Sequence, residues 1–289
     1  MTHQVCCLLL VCVFFQIVPV RHAFAQAEPR ILPPYSTISM PFDLREDFLI
    51  VVEGRIGPIE HLRFILDTGS SRTIVSQKIA DQFTLSRQPA LLIALGNKRK
   101  LESAIFPEVQ IGPLRVVNQP MIVSNLAKVS EFATNVDAIL GLDILSRCKA
   151  LEIDYAAREV RFVNPHSASD EGHTSMNAFF VPATLERRSI RLLVDTGMQG
   201  VVLFEDRLRS HVGKWESTEK VSALMGSSRI QQVRLPSLWL GPFQINAPVF
   251  ILPSKRSAVP EVMDGALGPR ALGATRIALD FGDMKLRFR

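Results

Sequence analysis

Asp-Thr-Gly occurs twice in this chain, at Asp67-Thr68-Gly69 and at Asp195-Thr196-Gly197, each time closing an apolar run. An apolar strand that ends this way delivers a carboxylate at a buried turn, where Gly permits a backbone conformation and a close approach that a Cβ would forbid. The Thr hydroxyl can tie one such turn to its counterpart across an interface. Two carboxylates brought to about 3 Å cannot both ionise, so they share one proton. The pair is then an acid and a base in one site. The ionised Asp takes a proton from a water, and the protonated Asp hydrogen-bonds the carbonyl under attack. Amide hydrolysis by this route needs neither a metal nor a covalent intermediate.

The elements that must position the two tripeptides repeat with them. Phe64 to Gly69 matches Leu192 to Gly197 at an offset of 128 residues, and Val109 to Leu114 matches Leu238 to Phe243 at 129. Ala138-Ile139-Leu140-Gly141 matches Gly265-Ala266-Leu267-Gly268 at 127, and Ile153-Asp154-Tyr155 matches Leu279-Asp280-Phe281 at 126. So small a drift over four anchors marks a duplication. The copies span residues 46–163 and 175–289, joined by a linker at 164–174 that is rich in loop-favouring residues and has no apolar period. Within the first copy, Phe48 to Val52, Leu62 to Leu66, Val109 to Leu114, Pro120 to Val123 and Val160 to Val163 read as short strands. Helix is expected only at Ser76 to Phe83, Leu142 to Cys148 and Glu205 to Ser210. The fold class is mainly β.

Residues 1–25 read differently. Val5 to Val20 is almost purely apolar and precedes Ala23-Phe24-Ala25, a small-residue cleavage pattern, so a signal peptide cut before Gln26 is expected. A retained membrane anchor is the alternative. Cleavage would leave Cys148 as the one cysteine and exclude an intramolecular disulfide. Residues 26–45, Pro-rich at the start, belong to neither copy and are expected to form an extended arm. The net charge of +5 is carried by dispersed Lys and Arg, which argues against nucleic acid as a partner.

With these residues in view, the chain resembles the retropepsin-like aspartic proteases, in which an apolar-apolar-Asp-Thr-Gly loop is followed some seventy residues later by an apolar-apolar-Gly strand packed beneath it. Here 74 residues separate Asp67 from Gly141 and 73 separate Asp195 from Gly268. The resemblance covers about residues 46–289 and implies two tandem half-barrels around a cleft, a pseudo-dimer within one monomeric chain. It implies Asp67 and Asp195 as the catalytic pair, Thr68 and Thr196 as interlocking threonines, and Gly69 and Gly197 as motif glycines. Leu140-Gly141 and Leu267-Gly268 fill the supporting strands. Ser70 occupies the position whose hydroxyl supports the adjacent carboxylate in many relatives, but its counterpart is Met198, which cannot donate that bond and should make the two acids inequivalent. Flap hairpins are expected around Gly96-Asn97 and Gly226-Ser227.

Other residues read as structural. Asp143 has Arg270 as its counterpart and is expected to be a helix-start or surface group. Asp154 and Asp280 precede hairpin turns, and Lys98-Arg99-Lys100 reads as a solvated hairpin. The six histidines show no metal-ligand spacing, and no cofactor motif is present. The expected function is an aspartic endopeptidase acting on exported or envelope proteins without a cofactor. The periplasm is the favoured compartment and secretion the alternative. The rival function is a non-catalytic peptide-binding module that uses the same cleft.

Overall fold

A computed structural model describes residues 26–29, 39–94, 97–127, 129, 135–165, 176–207, 214–223, 226–234, 237–252 and 263–289. The chain is mainly β, in three sheets. The first copy forms an eight-stranded sheet in the order Asp43–Arg45, Leu49–Ile56, Ile59–Leu66, Ala138–Leu140, Ile74–Ser76, Leu114–Ser124, Asn97–Ile111, Arg87–Ala94. Pairing of Arg55 with Gln110 curls it back on itself. The second copy forms a nine-stranded sheet in which Phe180–Leu185, Arg188–Val194, Gly265–Leu267, Val201–Phe204, Val249–Leu252, Gly226–Arg234 and Lys214–Ala223 follow in the same spatial order. The equivalent closure pairs Thr184 with Trp239. The duplication is therefore one of topology as well as of sequence.

The third sheet joins the copies. Its six strands run Gln26–Pro29, Lys285–Phe288, Arg276–Asp280, Cys148–Asp154, Glu159–Pro165, Ser39–Pro41. At its centre Cys148–Asp154 lies antiparallel to Arg276–Asp280, with Glu152 opposite Ala278. Arm residues complete both edges: Ser39–Pro41 pairs with the first copy and Gln26–Pro29 with the C-terminal strand of the second. Beneath the Asp-Thr-Gly loops lies one apolar core that draws on both copies, including Phe64, Leu66, Leu151, Leu192, Val194 and Leu279. Alternation along each strand places Ile65 and Leu193 on the opposite face, in two smaller clusters, one per copy.

Several sequence expectations are corrected. Val109 to Leu114 is not one strand: Val109 to Ile111 end the strand Asn97–Ile111, Gly112-Pro113 form the reversal with Gly112 at φ 51°, and Leu114 opens the strand Leu114–Ser124. Its repeat partner is the same kind of reversal, with Gly241 at φ 58°. The repeated Gly-Pro thus marks a turn that needs a left-handed residue. The expected helix at Ser76 to Phe83 is Gln77–Ala80, capped by the Ser76 side chain, and that at Leu142 to Cys148 is Leu142–Leu145. Cys148 instead opens a strand of the joining sheet, where ladder pairing outcompetes a further helical turn. Of the third expected helix, Glu205–Arg207 forms a 3₁₀ turn, and residues 208–210 lie outside the described residues. The signal segment 1–25 and most of the linker lie outside the described residues.

Because the main core is continuous across the seam, loss of packing in one copy should weaken both. Leu151, fully buried and paired with Leu279, is a direct probe. Leu151→Ala should cost about 2–5 kcal/mol. Urea unfolding followed by fluorescence and circular dichroism should show one shifted transition, not two.

Candidate active site

Each Asp-Thr-Gly loop is built in the same way. The strand Ala138–Leu140 runs parallel to Ile59–Leu66 and antiparallel to Ile74–Ser76, so it threads between the two arms of the loop. The Leu140 carbonyl accepts from the Asp67 N–H at 3.0 Å. Gly265–Leu267 threads the second loop likewise, and Leu267 accepts from Asp195 N–H at 3.0 Å. The glycine after each threading strand lies against backbone: a Cβ on Gly141 would fall 2.5 Å from the Arg72 carbonyl carbon, and one on Gly268 2.3 Å from the Met198 oxygen. This is why the sequence shows apolar-apolar-Gly at both places.

The loops meet through their threonines. Thr68 Oγ1 donates to the Val194 carbonyl at 2.8 Å and accepts from Thr196 N–H at 3.1 Å. Thr196 Oγ1 donates to the Leu66 carbonyl at 2.7 Å and accepts from Thr68 N–H at 3.0 Å. Four reciprocal bonds in a buried setting fix the two loops face to face. Gly69 sits directly against the opposing acid, for a Cβ there would lie 2.3 Å from Asp195 Cγ.

Asp67 and Asp195 are fully buried. Asp67 Oδ1 accepts from Gly69 N–H at 2.9 Å and from Ser70 N–H at 3.2 Å, whereas Asp195 Oδ1 accepts from Gly197 N–H at 2.7 Å. The two side chains are within hydrogen-bonding reach of each other. Neither Oδ2 receives a bond from any other N–H or O–H among the described residues. Burial raises both carboxyls, and the neighbouring Asp195 raises Asp67 further. A proton taken up by these two carboxyls belongs to the pair rather than to either residue. The arrangement can donate and accept a proton at one point, which is the requirement for activating a water and polarising a carbonyl together.

The predicted inequivalence of the acids is present, but not through the Ser70 hydroxyl. Ser70 Oγ donates to the Arg72 carbonyl at 2.7 Å, and it is the Ser70 backbone N–H that reaches Asp67. Met198 is fully buried in the apolar cluster of the second copy beside Leu193, Val202 and Ala266. Asp143 is also corrected: it opens the helix Leu142–Leu145 as expected, but it is buried rather than on the surface. Sequence reading missed its partners Thr73 and Gln119. The one available signal was that Ser70 and Thr73 give way to the apolar Met198 and Val201 in the second copy, where the acid Asp143 gives way to the base Arg270.

Of the expected flap residues, three lie in strands. Strand pairing in the first copy continues to Ala94 opposite Asn97, so Asn97 belongs to a strand and Gly96 lies outside the described residues. In the second copy pairing reaches Ala223 opposite Gly226, so Gly226 and Ser227 belong to a strand. Ladder hydrogen bonds extend as far as backbone geometry allows and override local turn preference. Asp154 and Asp280 keep their structural reading: the Oδ1 of each accepts a backbone N–H from the turn that follows, Ala157 and Asp283 respectively.

A carboxyl whose pKa is higher folded than unfolded is ionised first in the unfolded chain, so its buried neutral form loses stability as pH rises from its unfolded value, about 4. Asp195, pushed up to about 7 by burial, should act this way. Asp195→Asn stays neutral throughout. Its stability relative to the native protein should therefore grow between pH 4 and 7 and shrink toward nothing below that window, as read from urea midpoints across the range.

Comparison with known proteins assigns each copy separately. Residues 52–147 match the family model described as "gag-polyprotein putative aspartyl protease", and residues 181–271 match the model described as "Aspartyl protease". No curated protein matches the chain. Among solved structures, a retropepsin-like aspartic protease from Rickettsia conorii is 17% identical over 47% of this chain and 100% of its own, with a TM-score of 0.32. An aspartic proteinase from Irpex lacteus is 14% identical over 87% of this chain and 96% of its own, with a TM-score of 0.49. Basic 7S globulin from soybean is 11% identical over 88% and 95%, with a TM-score of 0.45. One aspartyl-protease model falls on each copy of a duplication that repeats in sequence, in strand order and in loop geometry, and the chain is a tandem of two aspartyl-protease domains.

Proposed function

We propose that the protein is an aspartic endopeptidase that hydrolyses peptide bonds in an extended substrate lying between the copies. The observation that carries this reading is the pair of buried carboxyls, held face to face by the threonine interlock, whose Oδ2 atoms no other protein group satisfies. In the reaction, the ionised carboxylate accepts a proton from a water. The water oxygen attacks the scissile carbonyl carbon, and the carbonyl oxygen accepts a hydrogen bond from the protonated carboxyl. Proton return to the amide nitrogen then releases the amine and regenerates the shared-proton state. Mutual repulsion separates the two ionisations of the pair, so there is a pH window in which it holds one proton, and activity is expected within that window.

Asp67→Asn and Asp195→Asn should each lower the cleavage of unfolded protein at mildly acidic pH by at least about a hundredfold. Circular dichroism should show both variants folded, and full activity in either would rule out the shared-proton mechanism. A hydroxyl-bearing transition-state mimic should bind the native chain and lose affinity in both variants.

We further propose that the protein is exported, with envelope or secreted proteins as its substrates, on the strength of the apolar segment Val5 to Val20 and the Ala23-Phe24-Ala25 pattern. N-terminal sequencing of the protein recovered from the cell envelope should begin at Gln26. Recovery with Met1 in place would indicate a retained anchor instead.

A further inference from the structure

The second carboxylate network of the molecule lies behind the first catalytic loop and has no equivalent behind the second. Asp143 is almost wholly buried, at 2% exposure, and three donors surround it. Its Oδ1 accepts from Thr73 Oγ1 at 2.6 Å, and its Oδ2 accepts from Thr73 N–H at 3.0 Å and from Gln119 Nε2 at 3.0 Å. The Thr73 hydroxyl in turn accepts from Gly141 N–H at 3.2 Å. The Leu142 N–H, at the start of the same short helix, donates to the Ser70 carbonyl at 2.8 Å. These bonds clamp residues 70–73 to residues 141–143. Both clamped segments reach Asp67 directly: Ser70 through its N–H to Oδ1, and Leu140, next to Gly141, through its carbonyl to the Asp67 N–H.

The second copy lacks this device for reasons visible in its residues. Pro269 stands where Leu142 does and has no N–H to give; Val201 replaces Thr73, and Arg270 replaces Asp143. Gly268 N–H goes instead to the Gly200 carbonyl at 2.8 Å, and Met198 packs the loop from its apolar side. Arg270 is used elsewhere: its Nε donates to the Asp47 carbonyl at 3.0 Å and its guanidinium lies 4.8 Å from the centre of the Tyr155 ring, both in the first copy.

We propose that Asp143 is a positioning residue for catalysis, acting through Thr73, Gly141 and Ser70 to hold the Asp67 carboxylate in the orientation at which it shares a proton with Asp195. Asp143 touches neither reacting group. Its effect is on the alignment of Asp67, so it belongs to the turnover step and not to substrate binding. The inference rests on the proteolytic reading above.

The test is the steady-state kinetics of peptide cleavage, normalised by active-site titration with a tight-binding hydroxyl inhibitor. Asp143→Ala should lower kcat about tenfold to a hundredfold while leaving KM within about twofold, as expected when a group that orients the catalyst is lost. Asp143→Asn keeps one acceptor for Thr73, and the Gln119 amide can turn to accept from it, so this variant should recover kcat to within about threefold of the native chain. If Asp143→Ala does not fold, Thr73→Val, which removes the hydroxyl link alone, should show the same split with a smaller loss. A native kcat per titrated site in Asp143→Ala, or in Thr73→Val if only that variant folds, would overturn the inference. So would a loss confined to KM. A native chain that cleaves nothing would instead defeat the proteolytic reading itself.

Discussion

The reciprocal hydrogen bonding of Thr68 and Thr196 is the constraint on which the rest of this molecule depends. Two carboxyl groups buried together oppose folding, because burial disfavours their charge and each disfavours ionisation of the other. They stay in contact because something nearby makes their separation more costly. Each threonine here satisfies a backbone carbonyl and a backbone N–H of the opposite copy, so parting the loops would orphan three buried polar groups on each side. The shared core beneath and the six-stranded sheet across the seam carry the same constraint outward. Together they turn two similar halves into one body with a single site at its axis.

Within that near-symmetry the two loops are supported by different physics. Behind Asp67 lies a polar clamp built on Asp143, Thr73 and the helix N-terminus at Leu142. Behind Asp195 lie Met198, Val202 and Ala266, with backbone contacts from Gly268. The first loop is held by directional bonds, and the second by shape. Asp67 Oδ1 accepts from the N–H groups of Gly69 and Ser70, and Asp195 Oδ1 accepts from that of Gly197. A shared proton needs close carboxyls, not identical ones, and unequal surroundings give the pair distinct acid and base behaviour within one site.

Much of this was legible in the chain. The tripeptides, their supporting apolar-Gly strands and the duplication could be read directly, because a buried acid at a tight junction restricts its neighbours to few residue types. The role of Asp143 was not legible, since an Asp two residues after a Gly reads as a helix start, and only the three-dimensional approach of Thr73 and Gln119 turns it inward. The Ser70 hydroxyl misled for a related reason: a serine beside a carboxylate invites a direct bond, yet here a carbonyl two residues on is better placed. The expected flap residues Asn97, Gly226 and Ser227 lie in strands because pairing energy along a hairpin is cooperative, whereas turn propensity is local. The arm at 26–45 gave little signal, because short edge strands acquire their identity from the ladder they join.

The central claim is that one proton is shared by Asp67 and Asp195 and that this singly protonated pair is the working state. The most direct measurement is the pH dependence of kcat/KM for the native chain on a peptide without ionisable groups. A shared proton gives a bell-shaped profile, with activity lost on the acid side as the pair takes up its second proton and on the alkaline side as it loses its only one. A profile that rises through a single ionisation to a plateau, with no alkaline decline before the fold itself is lost, would contradict it.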